Sequence, residues 1–94
     1  MRSHNFEWDD KKAAANHARH GVTFEMARDV FDDPFAIAEI DDRQDYEEDR
    51  YVAIGMVEGR LLFVAYTLRS RRVRIISARF AEPYERRRYH EESR

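Results

Sequence analysis

Tyr51-Val-Ala-Ile-Gly-Met-Val57, Glu58-Gly59, Leu61-Leu-Phe-Val-Ala-Tyr-Thr-Leu68, Arg69-Ser-Arg-Arg72 and Val73-Arg-Ile-Ile-Ser-Ala-Arg-Phe80 together decide the fold. The three long runs are dense in β-branched and aromatic residues. Glu58-Gly59 is a hairpin signal and Arg69–Arg72 makes a second turn, so the segment reads as three consecutive antiparallel strands. Strict alternation on the last strand would send Val73, Ile75, Ser77 and Arg79 to one face and Arg74, Ile76 and Ala78 to the other.

Upstream, Asn5-Phe6-Glu7-Trp8 alternates polar and aromatic residues as a short strand does. Asp9 and Asp10 suit a helix N-terminus, Lys11–His20 holds four alanines and no breaker, and Gly21 fits a helix stop. Thr23 caps a second helix from Phe24 to about Phe31, which Asp32-Asp33-Pro34 ends. Phe35–Ile40 reads as a strand and Asp41–Asp49 as an acidic loop. Downstream, Pro83 sits in the first turn of a charged helix over Glu82–Glu92, anchored by Tyr84 and Tyr89. The order β-α-α-β-β-β-β-α implies an α+β fold: a mainly antiparallel sheet of four to five strands, two N-terminal helices and a C-terminal helix.

With 94 residues and no internal repeat, one domain over residues 1–94 is expected. The chain has no Cys, which removes disulfides, thiolate metal sites and cysteine nucleophiles. No apolar run approaches the ~20 residues of a membrane span and no signal-peptide core is seen, so a cytoplasmic location without membrane contact is expected. No phosphate-binding glycine loop, Gly-x-Ser-x-Gly elbow or His-Glu-x-x-His occurs. The adjacent acids Asp9/Asp10, Asp32/Asp33 and Asp41/Asp42 sit at caps and loops, where they do local work.

The net charge of −2 conceals an asymmetry. Residues 1–49 carry 6 Lys+Arg against 14 Asp+Glu, and residues 50–94 carry 11 Arg against 5 Glu. Arg presents a planar fork matched to phosphate and carboxylate, so the second half is the place to look for an anion site. Internal pairing with the acidic half is the competing use. From Arg60 to Arg79 there are six Arg and no acid. Arg69 and Arg79 stand near strand ends, Arg72 and Arg74 lie in the same run, and Tyr66 and Thr67 add hydroxyls beside them. Together they make a cradle for a phosphodiester, or, on the structural reading, a charge-blunted edge strand. On the first helix, Lys12, Asn16 and Arg19 recur at helical spacing, with His20 one turn beyond Asn16. His20 either titrates near neutrality as a proton carrier or favours the negative helix end as a cation. His17 and His20 lack a third ligand, so neither metal nor cofactor is expected.

Phe6-Glu-Trp-Asp9, Asn16, Arg19-His-Gly21, Thr23-Phe24-Glu25, Ala27–Asp33 and Arg74-Ile-Ile-Ser-Ala-Arg79 resemble the BrnT toxins of type II toxin–antitoxin modules. The likeness continues through Arg50, Ile54-Gly55, Tyr66-Thr-Leu-Arg69 and Glu85–Tyr89, and so runs in order along nearly the whole chain. The family usually has Lys before the His-Gly; Arg19 keeps the charge but alters any proton-transfer role there. The resemblance implies a RelE-like fold, ribonuclease activity that inhibits translation, and a BrnA-type antitoxin. That antitoxin carries a ribbon–helix–helix region, and operator DNA is bound only through the complex. On this reading Arg79 and Arg69, with Lys12, act on the phosphate, His20 moves protons with Tyr66 as the alternate, and Arg19, Tyr66, Arg72 and Arg74 hold RNA. The alternatives are a non-catalytic nucleic-acid-binding module and a protein-binding module that use the same Arg face.

Overall fold

The computed structural model of the chain describes residues 5–42 and 48–92. In chain order it contains β1 (Phe6–Glu7), α1 (Asp10–His20), α2 (Phe24–Asp29) with a 3-10 turn at Val30–Asp32, and β2 (Ile37–Asp41). These are followed by β3 (Arg50–Val57), β4 (Arg60–Arg69), β5 (Arg72–Phe80) and α3 (Pro83–Glu92). The strands form one sheet in the order β1-β5-β4-β3-β2. The β2–β3–β4–β5 pairs are antiparallel, and β1 joins β5 in parallel. This is the expected α+β architecture, with two helices ahead of the main sheet and one after it.

Several boundaries move for local reasons. The second helix ends at Asp29 and tightens into the 3-10 turn, because Asp33 N–H bonds to Val30 O and Asp33 itself turns extended before Pro34. Ala36 N–H then closes a further turn on Asp33 O, so β2 starts at Ile37 rather than Phe35, and it runs on to Asp41. The rest of the expected acidic loop falls largely on residues 43–47, outside the described residues. The 3-10 turn presses on β3 at Gly55, where an added Cβ would stand 2.7 Å from Val30 Cγ1; only glycine admits that approach.

Both hairpins of the β3–β4–β5 run close with two residues. Glu58 and Gly59 have φ of 49° and 81°, and Ser70 and Arg71 have φ of 48° and 68°. The expected turn over Arg69–Arg72 thus contracts to Ser70-Arg71, a geometry that favours Asn-Gly. Replacing Ser70-Arg71 by Asn-Gly is expected to stabilise the chain by about 1 kcal/mol and to raise the melting temperature by about 4–8 °C. Thermal unfolding followed by circular dichroism checks this; an unchanged or lower midpoint contradicts it.

One sheet face packs under α1 and α2. Val22, Phe24, Ala27 and Val30 meet Ala53, Leu62, Val64, Tyr66, Ile75 and Ala78 there. Phe24, Leu62, Val22, Val30 and Val64 are fully buried, each contributing roughly 1.5–3 kcal/mol before chain entropy is counted. The other face carries a smaller cluster, Ile54, Leu61, Ala81 and Tyr89, beneath α3.

The strict alternation expected on β5 is corrected by a bulge. Ala65 faces Ser77 and Tyr66 faces Ile75, which leaves Ile76 as the extra residue. Ile75 and Ala78 therefore both enter the core under α1 and α2. Arg72 opposes Arg69, Arg74 opposes Thr67 and Arg79 opposes Phe63, all odd-numbered positions of β4. Arg69, Arg72, Arg74, Ser77 and Arg79 consequently share the α3 face. Without the extra residue, Arg74 and Arg79 would point to opposite faces.

Candidate nucleic-acid interface

α1 is positioned by its two caps and by one buried side chain. Asp9 accepts hydrogen bonds from Lys11 N–H at 2.8 Å and Lys12 N–H at 3.0 Å. Gly21, at φ 71°, returns its N–H to His17 O. Asn16 is 8% exposed. Its Nδ2 donates to Ala78 O at 2.9 Å and Val22 O at 3.0 Å, while its Oδ1 accepts from Ala78 N–H at 3.1 Å. β1 ends at Glu7, so past Arg74 the outer edge of β5 has no neighbouring strand among the described residues; the Asn16 carboxamide fills that role at Ala78. Pinned this way, α1 and β5 enclose a shallow groove lined by Lys12, Ala15, Asn16, Arg19, His20, Ile76 and Ser77. Among the described residues no carboxylate lines it. Lys12 and Arg19 are exposed at its rim and His20 is half-buried.

Ser77 links this groove to the arginine face. On that face the arginines already hold carboxylates. Arg69 engages Glu48 through Nε at 3.3 Å and Nη2 at 3.0 Å. Arg74 meets Glu7 at 2.8 Å. Arg79 forks onto Glu85 with Nη1 at 2.8 Å and Nη2 at 3.0 Å, and its Cζ lies 4.2 Å from the centre of the Phe63 ring. Glu85 also accepts Glu82 N–H at 2.7 Å, capping α3. Burial alone would raise the Glu85 carboxyl, but the bonds from Arg79 and Glu82 N–H outweigh it and hold the group below its usual range; the same fork raises Arg79.

The pairs differ in how readily they exchange. The Arg69 and Glu48 side chains are 50% and 43% exposed, so solvent screens the pair and another anion can take the place of Glu48. The Glu85 side chain is 3% exposed, and stripping a buried pair of one partner costs about 3–5 kcal/mol, so Glu85 stays.

The structure therefore brings Lys12, Arg19 and His20 together in the groove and places Arg69, Arg72, Arg74 and Arg79 on the adjoining face. Tyr66 is corrected. It lies on the opposite face, 7% exposed, with its ring 5.0 Å from Phe31 and 5.5 Å from Tyr51, and burial pushes its hydroxyl up. An aromatic on the core side of a half-buried strand packs inward, so Tyr66 does not join the arginines. Asn16, grouped with Lys12 and Arg19 by helical spacing, is a structural pin. Tyr84 is 57% exposed, leaving Tyr89 as the real anchor of α3. Glu85 was missed in the sequence. A Glu three residues after a helix entry, just past an Arg-rich strand, is the signal that finds it.

Tyr89 anchors through Asp33. Its hydroxyl donates to Asp33 Oδ2 at 2.6 Å, alongside Met56 N–H at 2.7 Å, and Phe35 N–H reaches Oδ1 at 2.9 Å. Burial works to raise this carboxyl, but the bonds, led by Tyr89, prevail and lower it below the ordinary 3.8. A depressed folded pKa contributes stability that is complete above the unfolded value and is lost as pH falls through the folded one. Asp33→Asn is expected to lower the melting temperature at neutral pH and to flatten its decline below about pH 4. Melting curves between pH 7 and 2 check this; a parallel decline in both proteins contradicts it.

Among the described residues no helix is long and apolar enough to cross a membrane. None of the curated proteins searched matches the chain. The profile of a family described as the ribonuclease toxin BrnT of type II toxin–antitoxin systems matches residues 8–85, a span that holds α1, the bulged strand β5, every arginine of the face and Glu85. A match over most of the 94 residues settles membership: the chain belongs to the BrnT family of ribonuclease toxins of type II toxin–antitoxin systems.

Proposed function

We propose that this chain is a metal-independent endoribonuclease that halts translation in the cytoplasm and is neutralised by a BrnA-type antitoxin. The observation that supports it best is the bulge at Ile76, which aligns four arginines and Ser77 on one sheet face beside the Lys12–Arg19–His20 groove. An RNA strand crossing the edge of β5 meets cations on both sides of Ser77. Same-face positions two residues apart on a strand are about 7 Å apart, a spacing at which successive arginines can serve neighbouring phosphates.

The step uses the RNA's own nucleophile. The ribose 2′-oxygen bonds to the adjacent phosphorus, the bond from phosphorus to the 5′-oxygen breaks, and a 2′,3′-cyclic phosphate is left. One proton leaves the 2′-hydroxyl and one reaches the departing 5′-oxygen. His20, half-buried in the groove, carries the proton transfer. Arg79 and Arg69, assisted by Lys12, hold the charge that builds on the phosphate oxygens, and Arg19, Arg72 and Arg74 track the flanking backbone. Tyr66, on the far face, has no part.

A second reading has its own support. Arg69, Arg74 and Arg79 each hold a carboxylate, so the face also suits acidic side chains of a protein. In the toxin reading both uses coexist, since an acidic antitoxin segment covering the face excludes RNA. The test is induced expression in a bacterial host with amino-acid incorporation followed over time. Incorporation is expected to stop as messenger RNA is cut, and to recover when the neighbouring ribbon–helix–helix protein is co-expressed. Normal incorporation alongside a stable complex of the two proteins would favour the binding module instead.

A further inference from the structure

Resting on the assignment of Arg79 to the phosphate, we infer that Glu85 is a positioning residue for RNA cleavage: it grips one forked edge of the Arg79 guanidinium and leaves the other edge set for the scissile phosphate. A guanidinium has two edges that bind oxyanions in a bidentate way, the distal Nη1–Nη2 edge and the side-on Nε–Nη2 edge. Glu85 takes the distal edge, and Nη1 also donates to Phe80 O at 3.2 Å. The Phe63 ring supports the guanidinium plane. None of these contacts uses Nε, and Nε is not sealed in the interior. Among the described residues the second fork is therefore open, while the first is held by a carboxylate that cannot leave cheaply.

Arg69 shows the opposite arrangement. Its side-on edge is the one occupied, by an exposed and exchangeable Glu48. Arg79 is thus oriented before RNA arrives, so the transition state meets a donor pair that needs no further ordering. Glu85 itself needs no contact with RNA; it acts through Arg79.

A double-mutant cycle on the full chain tests this. Single-turnover cleavage is measured for the wild type, Glu85→Gln, Arg79→Ala and the double variant, with melting curves for each. Glu85→Gln is expected to lower kcat by about tenfold with KM changed less than about twofold, and to change nothing further once Arg79 is Ala. A wild-type rate for Glu85→Gln, or an equal loss in both backgrounds, overturns the inference while the role of Arg79 stands. A wild-type rate for Arg79→Ala removes the underlying assignment, and the inference with it. A second measurement avoids substitutions altogether. On titrating inorganic phosphate into the wild type, the Arg79 Nε–H resonance is expected to shift while the Glu85 carboxylate carbon does not. Release of the Glu85 carboxylate, or a silent Nε–H, overturns the inference.

Discussion

Arg79→Ala lowers RNA cleavage by about a hundredfold to a thousandfold in a chain that still folds, the loss expected when one preorganised donor to a developing oxyanion is removed. Arg69→Ala loses less, about tenfold, because Arg69 must first exchange Glu48 and is held by an exposed pair. Arg79→Lys keeps the charge but not the fork, and restores only a small part of the rate. Arg79→Ala also strands Glu85, whose side chain is 3% exposed, so a stability loss of about 3–5 kcal/mol accompanies it. Rates are therefore compared at a temperature where circular dichroism shows both proteins folded. Equal rates for Arg79→Ala and the wild type under those conditions would remove the arginine face from the chemistry.

The second large effect is on stability. Asn16→Ala leaves Ala78 N–H, Ala78 O and Val22 O without the partners they have now, all in a buried setting. At about 1–3 kcal/mol for each orphaned group, partly relieved by water, the expected loss is about 3 kcal/mol. For a domain of this size that lowers the melting temperature by about 12–24 °C. Asn16→Asp is expected to be at least as harmful, since it keeps the acceptor for Ala78 N–H but turns a negative oxygen toward two carbonyls. A shift of a degree or two in both variants would mean that α1 is held against β5 by its apolar contacts alone.

The hairpins of β3, β4 and β5 were legible because everything that makes them lies within a few residues: β-branched runs, a Glu-Gly break and an Arg-rich turn. The caps of α1 and α2 were legible for the same reason. The parallel pairing of β1 with β5 was not. Phe6 meets Val73 and Glu7 meets Arg74 across almost the whole chain, and nothing local in either segment names the other. The bulge was hidden by composition. Ile75 and Ile76 are both apolar, so the extra residue leaves no break in the pattern, yet it decides which arginines share a face. The excess of arginine in the second half drew attention to that part of the chain. It could not say that Arg69, Arg74 and Arg79 each hold a carboxylate, because pairing depends on the register of strands and on the docking of α3. Tyr66 misled because a phenol on a strand reads equally well as a hydroxyl and as a core ring. Its place between Phe31 and Tyr51 is set by the face of β4 it occupies.

These residues converge on one claim, that a cationic sheet face cuts RNA with the RNA's own 2′-hydroxyl and without a metal. The direct test is incubation of the purified, antitoxin-free chain with a defined RNA in the presence of EDTA, followed by analysis of the fragment ends. Cleavage that persists in EDTA and leaves 2′,3′-cyclic or 3′-phosphate ends, with 5′-hydroxyl ends on the downstream fragments, is the predicted result. Cleavage abolished by EDTA, or intact RNA with a verified folded protein, would contradict it.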